Sequence, residues 1–456
     1  MIAQHVLIAG GGMVGMTTAY RLQKKLRKRI RRGEVKITVV DPQSYMTYQS
    51  FLPEAAAGNL EPRHVVVPLR RVLKDVDVIT GRVARIEHGR KRVRVEPHLG
   101  QPYDLGYDQL VVALGSVSRT FPIPGLAEHG IGFKTVQEAT WLRNHVLERL
   151  DAAASIGDRQ ARKRALSFVF VGGGYSGVEA IAELEDMARD VVRQYYKNLD
   201  PREMRWLLVD AAGRILPEVG PDLGQYTVRQ LRGRGIDVRL ETMLESCVDG
   251  HVVLSDGTEL DADTIVWTAG VKPNPVLAAS DLPTDERGRV DTRVDLQVKG
   301  APGAWAAGDN AAVLDLTAGD PGATTAPNAQ HAVRQAKVLA DNIVAVMAGK
   351  RPKVYEHKYL GSVASLGLHK GVAQVYGIKL RGLPAWFMHR TYHVSKMPTF
   401  NRKVRIVLDW TLALFFRREV VAFGSFAHPR AEFEASATPP RQRVGTESVP
   451  EPLGRG

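Results

Sequence analysis

Two glycine-rich loops in this 456-residue chain have the spacing that binds the phosphates of a dinucleotide. The first, at Gly10, Gly12 and Gly15, reads G-x-G-x-x-G and directly follows the apolar stretch 5–9. In such a turn the first glycine permits the tight bend, the second lets a pyrophosphate approach the backbone, and the third lets helix and strand pack closely. Free N–H groups and the helix dipole can then bind the phosphates. The loop therefore predicts a dinucleotide site.

This first loop lies between elements that could position it. The stretch 5–9 has the pattern of a strand, the residues after Gly15 that of a helix, and 35–41 that of a second strand ending in Asp41. A carboxylate at that strand end can accept a hydrogen bond from a ribose hydroxyl. Asp41 comes later than the usual ~20 residues, because the helix carries a basic extension at 24–32.

The same pattern returns in the middle of the chain. An apolar strand is followed by Gly172, Gly174 and Gly177 and then by a helical stretch. The next predicted strand, 206–210, ends in Asp210. One unit of this kind could arise by chance or bind a mononucleotide. Two in tandem, each with its own acidic strand end, predict two dinucleotides in one chain.

Three predicted strands end in small residues, which let the backbone approach a cofactor closely. These ends are Ala113-Leu114-Gly115, Thr268-Ala269-Gly270 and Gly308-Asp309. The Asp309 carboxylate could accept from the hydroxyls of a flavin's ribityl chain, or it could cap the next helix. A long helix is predicted from Pro327 to Met347, and its positive N-terminus would suit the electron-rich end of a reduced flavin.

Length, cysteine content and charge limit the classes of function. A chain of 456 residues predicts two or three domains. No run of eighteen apolar residues occurs, so no spanning helix is expected, and the N-terminus enters a strand without a signal peptide. Cys247 is the single cysteine, which excludes a disulfide within the chain and a redox-active cysteine pair. The net charge of +13 favours an anionic partner, or it reflects arginine-rich usage.

The segments between these motifs are predicted to connect or cover them. Residues 48–58 are apolar with a proline, and we expect either a loop and short helix over the cofactor or an ordinary connection. We predict a helix at 65–73, a strand at 76–86 and a hairpin between 90 and 105. A further helix is predicted at 136–154, where leucine and valine recur at every fourth position.

The order of these features carries a resemblance to a known family. Both glycine loops, the small-residue strand ends and the helix at 329–347 occur in a series that is similar to the two-dinucleotide flavoprotein reductases, over residues 5–347. The stretches 362–367 and 385–418 resemble type II NADH dehydrogenases, the single-subunit NADH:quinone oxidoreductases. The resemblance implies an α/β fold with two Rossmann-like dinucleotide-binding domains, one for FAD and one for NADH, and a C-terminal helical segment on the membrane surface.

The resemblance also implies how the chain divides. The implied parts are an FAD-binding domain at 1–120 and 268–352, an NADH-binding domain at 121–267, a membrane-association region at 353–425 and a disordered tail at 426–456. The tail is rich in proline, arginine and glutamate, which is typical of disorder.

The cofactor positions of the family can be carried over residue by residue. The FAD positions are Gly10, Gly12, Val14, Asp41, Val83, Gly115 and Asp309. The NADH positions are Gly172, Gly174, Tyr175, Ser176, Glu179 and Asp210. The cofactor-binding set is completed by Met13, Ala113, Gly270, Ala329 and Gln330. An acid at Asp210 would repel a 2′-phosphate, which favours NADH over NADPH, although Arg214 lies four residues on. No metal site is implied.

The implied reaction is a hydride relay from NADH to FAD, followed by reduction of a membrane quinone without proton pumping. Glu179 would orient the nicotinamide or accept a proton; otherwise it is an acid favoured by the helix dipole in a first turn. Gln330 would hydrogen-bond a flavin or quinone carbonyl. The family's quinone-side motif usually reads Ala-Gln-x-x-x-Gln, but here Arg334 occupies the second glutamine position and Gln335 follows it. His331 is expected on the helix surface.

Other functions stay open on the sequence. The electron acceptor could be a protein such as ferredoxin or rubredoxin. The chain could also be a flavin-bearing redox sensor with little turnover, whose basic run at 24–32 docks nucleic acid. A charge run is usually a solvated helix face, so no nucleic acid partner is expected. Disulfide reductases and sulfide:quinone reductases are disfavoured, because both need paired redox cysteines.

Two aromatic and basic stretches near the C-terminus predict contact with an anionic membrane surface. Residues 383–393 and 400–418 combine large apolar side chains with cations, among them His389 and Arg390. Both stretches fit interfacial helices, or else they pack on the core or in a homodimer interface. The expected location is the cytoplasmic face of the cell membrane, as a peripheral, monotopic protein. Truncation at Tyr376 is expected to release the protein from vesicles and to leave a flavin domain that binds FAD, if that domain folds without the segment.

Overall fold

The computed structural model describes residues 3–320, 322–357, 361–416 and 418–422. The tail predicted at 426–456 lies outside the described residues. The helices are α1 Met13–Arg31, α2 Leu52–Ala56, α3 Leu69–Val72, α4 Leu126–His129, α5 Val136–Ser155, α6 Arg159–Ala165, α7 Tyr175–Tyr195, α8 Pro221–Arg232, α9 Ala329–Met347, α10 Leu383–Lys396 and α11 Phe400–Phe415. Short 3-10 helices lie at Gln49–Phe51, Pro62–His64, His88–Arg90, Pro201–Glu203, Val248–Gly250 and Pro275–Ala279.

The strands form sheets of different sizes. In chain order they are β1 Gln4–Ala9, β2 Val35–Asp41, β3 Tyr45–Thr47, β4 Val66–Pro68, β5 Asp77–Glu87, β6 Arg92–Pro97, β7 Tyr103–Gly106, β8 Gln109–Val112, β9 Ser116–Ser118, β10 Gly130–Gly132, β11 Ser167–Val171, β12 Arg205–Val209, β13 Ile236–Arg239, β14 Leu244–Ser246, β15 His251–Leu254, β16 Glu259–Asp261, β17 Thr264–Trp267, β18 Val271–Pro273, β19 Val290–Asp291, β20 Ala304–Ala306, β21 Ala311–Ala312, β22 Gly361–Ser365, β23 Gly371–Val375 and β24 Ile378–Arg381.

The first large sheet has the order β20-β8-β1-β2-β5-β6-β7. Its first five strands run parallel, and β6 and β7 add an antiparallel edge. The central strand β1 is covered on both faces, and for this reason its residues Val6 to Ala9 are all apolar and fully buried. The helix α1 connects β1 to β2 and packs against α9. Because the loop at Gly10 directly follows β1, it lies at the carboxyl edge of the sheet.

The second large sheet repeats this arrangement with the order β10-β17-β11-β12-β13, and its strands are all parallel. Here α7 connects β11 to β12 as α1 connects β1 to β2. Two antiparallel strands, β9 and β18, carry the chain from the first sheet to the second and back. Two parallel sheets, each with a crossover helix after a glycine loop, confirm the predicted pair of Rossmann-like folds. The predicted residue limits of the domains remain predictions.

The C-terminal part of the described chain packs on both halves. The antiparallel sheet β22-β23-β24 supports α10, whose Ala385, Trp386 and His389 are buried against it and its surroundings. The helix α11 follows and contacts the 3-10 helix Pro62–His64 of the first half. In the part of the chain that the structure describes, every helix is too short or too polar to cross a membrane.

Most predicted elements are confirmed, but the helix predicted at 65–73 is wrong. Val66–Pro68 forms strand β4, which pairs with β3, and only Leu69–Val72 is helical. The cause lies in Val65–Val67, a run of β-branched residues that favours extended backbone, and in Pro68, which disfavours helix at the residue before it. The hairpin β6–β7, the helix α5 and the short helix within 48–58 all form as expected.

Candidate active site

In the first glycine loop, two of the three glycines are in close contact with backbone atoms, and the middle one faces open space. At Gly10, which has φ +105°, a Cβ atom would lie 2.2 Å from the carbonyl oxygen of Ala113, and at Gly15 a Cβ would lie 1.8 Å from the oxygen of Gly10. These two positions therefore require glycine. At Gly12 a Cβ would meet no protein atom within 4 Å. No protein atom requires glycine at this middle position, so the space above Gly12 fits a dinucleotide's pyrophosphate.

The second loop has the same geometry. A Cβ at Gly172 would lie 2.6 Å from the carbonyl carbon of Thr268, and one at Gly177 would lie 2.0 Å from the oxygen of Gly172. A Cβ at Gly174 would again meet nothing within 4 Å. Both cradles thus fit a phosphate-bearing ligand that approaches the backbone of the middle glycine, Gly12 in one half and Gly174 in the other.

Each loop is held by the carboxylate at the end of the neighbouring strand. Asp41 accepts from the backbone N–H of Gly11 at 2.6 Å and from that of Gln43 at 2.7 Å. Asp210 accepts in the same way from Gly173 and from Ala212. Burial raises the pKa of Asp41, and the two N–H donors oppose the rise. Each carboxylate oxygen keeps a second acceptor position, which can bind a ribose hydroxyl as the sequence predicts.

A cavity of about 770 Å³ joins the two loops. It is lined by nine residues predicted from the sequence, namely Met13, Gly174, Tyr175, Ser176, Glu179, Gly270, Asp309, Ala329 and Gln330. The structure places the other predicted residues outside this lining, namely Gly10, Gly12, Val14, Asp41, Val83, Ala113, Gly115, Gly172 and Asp210. Most of these lie in the two loops or at the strand ends beside them. Val83 lies further away, buried within β5.

The aspartate that follows strand β20 faces the cavity beside a half-buried lysine. Asp309 accepts from Ser116 Oγ at 2.7 Å, and Lys134 Nζ lies 4.0 Å from its carboxylate and 2.5 Å from the same serine. Burial lowers the pKa of Lys134, and the charges of Asp309 and Glu138 oppose this. The alternative role for Asp309, capping the next long helix, is wrong, because Asn328 caps α9 by accepting from His331 N at 2.9 Å.

The predicted catalytic glutamate is buried in the second turn of α7. Glu179 is 6 % exposed, lines the cavity, and accepts from the backbone N–H of Ser365 at 2.8 Å. Its Oε1 lies 3.1 Å from Nε2 of His389, which is 1 % exposed. The first-turn alternative for Glu179 is therefore wrong, because the first turn of α7 contains no acid. Burial lowers the pKa of His389, but the hydrogen bond and charge of Glu179, with the charges of Glu54 and Glu183, outweigh burial and raise it.

A second buried acid lies one turn beyond, within a polar cluster that joins five elements, namely α2, α7, β22, α10 and α11. Glu183 is fully buried and accepts from Asn59 Nδ2 at 3.0 Å and from Ser365 Oγ at 2.7 Å. Burial and the charge of Glu54 raise the pKa of Glu183 to about 7. Glu54 itself accepts from Arg390 at 2.9 Å and from Trp410 Nε1 at 2.7 Å. His389 and Arg390, which the sequence assigned to the lipid surface, are therefore buried within the protein.

The N-terminus of α9 carries the residues of the altered quinone-side motif. Gln330 lines the cavity, donates to the oxygen of Gly361 at 2.5 Å and accepts from Arg334 Nη1 at 3.1 Å. Gln335 does not reach the cavity; it is buried and accepts from the N–H of Gly308 at 2.8 Å. Arg334 therefore replaces the motif's second glutamine at the cavity wall, whereas Gln335 supports the loop that presents Asp309. The expectation for His331 is wrong, because its side chain is buried and bonded to Tyr355.

Several functional candidates carry no signal in the local sequence. Tyr48 and His393 both line the cavity, and the tyrosine hydroxyl lies 3.2 Å from Nδ1 of the histidine. Burial and the neighbouring His389 hold the pKa of His393 well below its ordinary value. Lys134 lies one residue before a capping box and belongs to no motif. Only the i, i+4 spacing of His389 and His393 on a predicted helix could have indicated that both face one side.

Comparison with known proteins identifies relatives over most of the chain. The family model for the pyridine nucleotide-disulphide oxidoreductases matches residues 4–336. The type II NADH:quinone oxidoreductase of Staphylococcus aureus is 32 % identical over 392 residues, which cover 85 % of this chain and 93 % of that protein. The type II NADH:quinone oxidoreductase Ndh of Mycobacterium tuberculosis is 29 % identical over 428 residues, covering 91 % and 89 % of the two chains.

Solved structures show the same fold. NDH2 of Plasmodium falciparum, in a structure with NADH, superposes with a TM-score of 0.84 at 16 % identity. The match covers 92 % of this chain and 99 % of that chain. It therefore extends beyond the two large sheets into the C-terminal elements.

Proposed function

The chain belongs to the pyridine nucleotide-disulphide oxidoreductase family and, within it, to the type II NADH:quinone oxidoreductases, and from this premise we propose how its residues perform NADH oxidation and quinone reduction. Its cofactors are FAD and NADH. The observation that supports the assignment most directly is the pair of matching glycine cradles joined by one cavity. Bound FAD supplies the two-electron chemistry, since a flavin accepts hydride from NADH and passes electrons to a quinone.

The first half of the molecule holds FAD. The open space above Gly12 and the N–H groups at the start of α1 bind the pyrophosphate, and Asp41 accepts from the adenosine ribose. Asp309 accepts from the hydroxyls of the ribityl chain, with Ser116 fixing the orientation of its carboxylate at 2.7 Å. Lys134, half-buried beside this pair, places a cation or a proton donor on the same wall of the cavity.

The second half holds NADH. Gly174 gives the pyrophosphate access to the backbone, and Asp210 accepts from the adenosine ribose and repels a 2′-phosphate. Glu179 lies on the cavity wall one turn after this loop, with its carboxylate fixed by Ser365 N–H and by His389. In this position it orients the nicotinamide, and His389 gives its buried carboxylate an ion-pair partner.

Quinone reduction uses the other end of the cavity. Gln330 and Arg334 present hydrogen-bond donors there, and a quinone carbonyl needs donors as negative charge develops on its oxygen. Tyr48 and His393 line the same cavity and add a hydroxyl and an imidazole. A hydride carries one proton and two electrons, so a second proton must reach the quinone from solvent, and the hydrogen-bonded Tyr48 and His393 can relay it.

The described part of α11 supports docking on an anionic membrane surface. Phe400, Leu408, Leu414 and Phe415 are between 53 % and 81 % exposed, although all are large apolar residues. Arginines on the same helix place positive charge beside this apolar face, as interfacial helices do. We place the protein on the cytoplasmic face of the cell membrane as a peripheral protein. A homodimer remains a prediction, and neither a protein acceptor nor a redox-sensing role is favoured.

One anaerobic experiment tests the proposed function. NADH added to the FAD-loaded protein should bleach the flavin absorbance, and a quinone analogue added next should restore it. Bleaching that only an iron–sulfur protein reverses would contradict quinone as the acceptor. Absence of bleaching would contradict NADH as the donor.

A further inference from the structure

A basic groove runs from the edge of the catalytic cavity to the first turns of α11. Its first part, of about 430 Å³, shares Tyr20, Val72 and Pro398 with the lining of the catalytic cavity. Its second part, of about 400 Å³, shares Arg71 with the first. Among the described residues, only two acids, Glu61 and Asp75, line the two parts. Seven cations line them, namely Lys24, Arg27, Arg63, Arg71, Lys74, Arg402 and Arg405. We call this surface the basic groove.

The cations of the basic groove have no acidic partner among the residues that the structure describes. Within the described ranges of the chain, none of the seven forms an ion pair, whereas Arg21, on the same helix as Lys24, pairs with Asp341 at 2.6 Å. Asp409 lies close by, but it accepts from His64 Nδ1 at 2.6 Å.

Arg405 reaches the other ring nitrogen of His64 rather than a carboxylate, at 3.3 Å. Burial, followed by the charges of Arg405 and Arg71, lowers the pKa of Arg402. Mutual repulsion among such cations disfavours their convergence unless an anion lies between them.

The groove adjoins an apolar surface that has no partner in the described chain. Phe400 lines the groove and is 81 % exposed, and Val404 and Leu408 continue this apolar face along α11 with 40 % and 53 % exposure. A ligand that suits both surfaces carries a negative charge at one end and apolar chains at the other. An anionic phospholipid has this structure, whereas nucleic acid and free phosphate lack the apolar part.

We propose that the basic groove binds the phosphate of an anionic phospholipid headgroup at the entrance of the quinone cavity, with the acyl chains along the exposed face of α11. This inference rests on the proposed membrane docking and adds to it a defined site. A lipid held there lies beside Tyr20, Val72 and Pro398, where the groove meets the cavity. The bilayer is thereby aligned so that a long-tailed quinone can enter the cavity without leaving the lipid phase.

Vesicle binding by the FAD-loaded protein tests the site. We compare vesicles of phosphatidylcholine with vesicles that also contain phosphatidylglycerol, at low ionic strength, for wild type and for the double variant Arg71→Gln/Arg402→Gln. Arg159→Gln/Arg287→Gln is the control, because it removes the same charge from two exposed arginines that do not line the groove. Turnover of NADH with ferricyanide, which needs no membrane, checks that each variant is folded and loaded.

The groove variant should bind phosphatidylglycerol vesicles at least about tenfold more weakly than wild type, because it lacks two cations that attract the anionic surface. The control should lose less than about threefold. KM for a long-tailed quinone in those vesicles should rise in the groove variant, with ferricyanide turnover unchanged.

The possible results distinguish failure of the lipid site from failure of the proposed membrane docking. Equal losses of vesicle affinity in the groove variant and the control would overturn the site. Binding would then be explained by the general attraction of a basic protein to an anionic membrane. Wild type that binds neither kind of vesicle would overturn both the site and the proposed docking. Heat from inorganic phosphate titrated into vesicle-free protein, lost in the groove variant, would assign the groove to soluble phosphate and overturn the lipid.

Discussion

The middle glycine of each loop is the residue at which ligand binding and folding can be separated. Gly12 and Gly174 have φ of −67° and −72°, which any residue can adopt, and a Cβ at either meets no protein atom within 4 Å. Gly12→Ala should therefore fold but bind FAD at least about tenfold more weakly, because the methyl group occupies the pyrophosphate's space. Gly174→Ala should keep FAD and lose NADH-driven flavin reduction. Flavin content and NADH bleaching measure the two effects.

A matched pair checks this interpretation. Gly15→Ala should fail to fold, because its Cβ would lie 1.8 Å from the oxygen of Gly10. If Gly12→Ala and Gly174→Ala both retained full FAD and normal NADH kinetics, the two cradles would not be the nucleotide sites.

In the proposed NADH site, Asp210 is expected to favour NADH over NADPH. Asp210→Asn removes the charge that repels a 2′-phosphate and keeps one oxygen for the N–H groups of Gly173 or Ala212. The ratio of kcat/KM for NADPH to that for NADH should rise about tenfold, which corresponds to ~1.4 kcal/mol. Steady-state kinetics with both nucleotides measure the ratio. Wild type that already used both equally would contradict the role of Asp210.

Glu179 lines the cavity at the proposed nicotinamide site and pairs with the buried His389. Glu179→Gln keeps the acceptor for Ser365 N–H but removes the charge that attracts His389. FAD should remain bound while NADH-driven flavin reduction slows about ten- to a hundredfold, within the range for loss of a general acid–base group. Stopped-flow flavin bleaching measures the rate. Unchanged kinetics would leave Glu179 with a structural role only.

Residues at fixed sequence spacing could be predicted, whereas residues assembled by long-range contacts could not. The loop glycines, Asp41 and Asp309 follow strands directly, so a local pattern specifies them. His389 reaches Glu179 across 210 positions of sequence because α10 packs on β22, which in turn packs on α7, and no local pattern encodes that contact. For the same reason the sequence assigned His389 to lipid when the structure buries it.

At the scale of elements, the buried Glu183 connects α7 to β22 and to the loop after α2, and it makes their packing sensitive to pH. The raised pKa of Glu183, about 7 against its ordinary 4.5, means that the folded state favours the protonated acid. This contribution to stability is fully present below the unfolded pKa and is lost as pH rises through the folded pKa. Glu183→Gln stays neutral and keeps the side chain's size, so it should remove this dependence.

The free energy of unfolding of wild type relative to Glu183→Gln should therefore fall between pH 5 and pH 8, by at most ~3 kcal/mol. Denaturant unfolding of the FAD-loaded proteins at both pH values measures the difference. A difference that stays constant with pH would mean that Glu183 is charged throughout, balanced by Arg418 in the folded state.

Element types were predictable where hydrophobic period and turn residues agreed. The helices α5 and α9 and the strands that precede the glycine loops satisfy both criteria. The segment 65–73 does not, because its apolar residues fit a helix while Val65–Val67 and Pro68 favour extended backbone. Pairing of β4 with β3 decided the outcome, and sequence reasoning had no means of predicting that pair.

At the scale of the whole molecule, the C-terminal helices have two roles that the sequence did not separate. α10 buries His389 and Arg390 against acids of both halves, and Trp410 of α11 donates to Glu54. Truncation at Tyr376 would remove these partners and leave Glu54 and Glu179 buried without them, which costs several kcal/mol. It is therefore an unsuitable test of membrane binding, and exposed single residues serve better.

The exposed apolar face of α11 gives the last prediction. Leu414 is 74 % exposed, so Leu414→Asp should leave the fold intact. If this face enters the membrane surface, the change removes an inserted leucine and adds a charge that anionic lipid repels, and vesicle affinity should fall about tenfold or more. Leu99→Asp is the control, because Leu99 is 91 % exposed in the loop between β6 and β7. Vesicle cosedimentation measures both variants, and NADH:ferricyanide turnover checks loading. Equal vesicle affinity of the two variants would show that the exposed face of α11 does not bind the membrane.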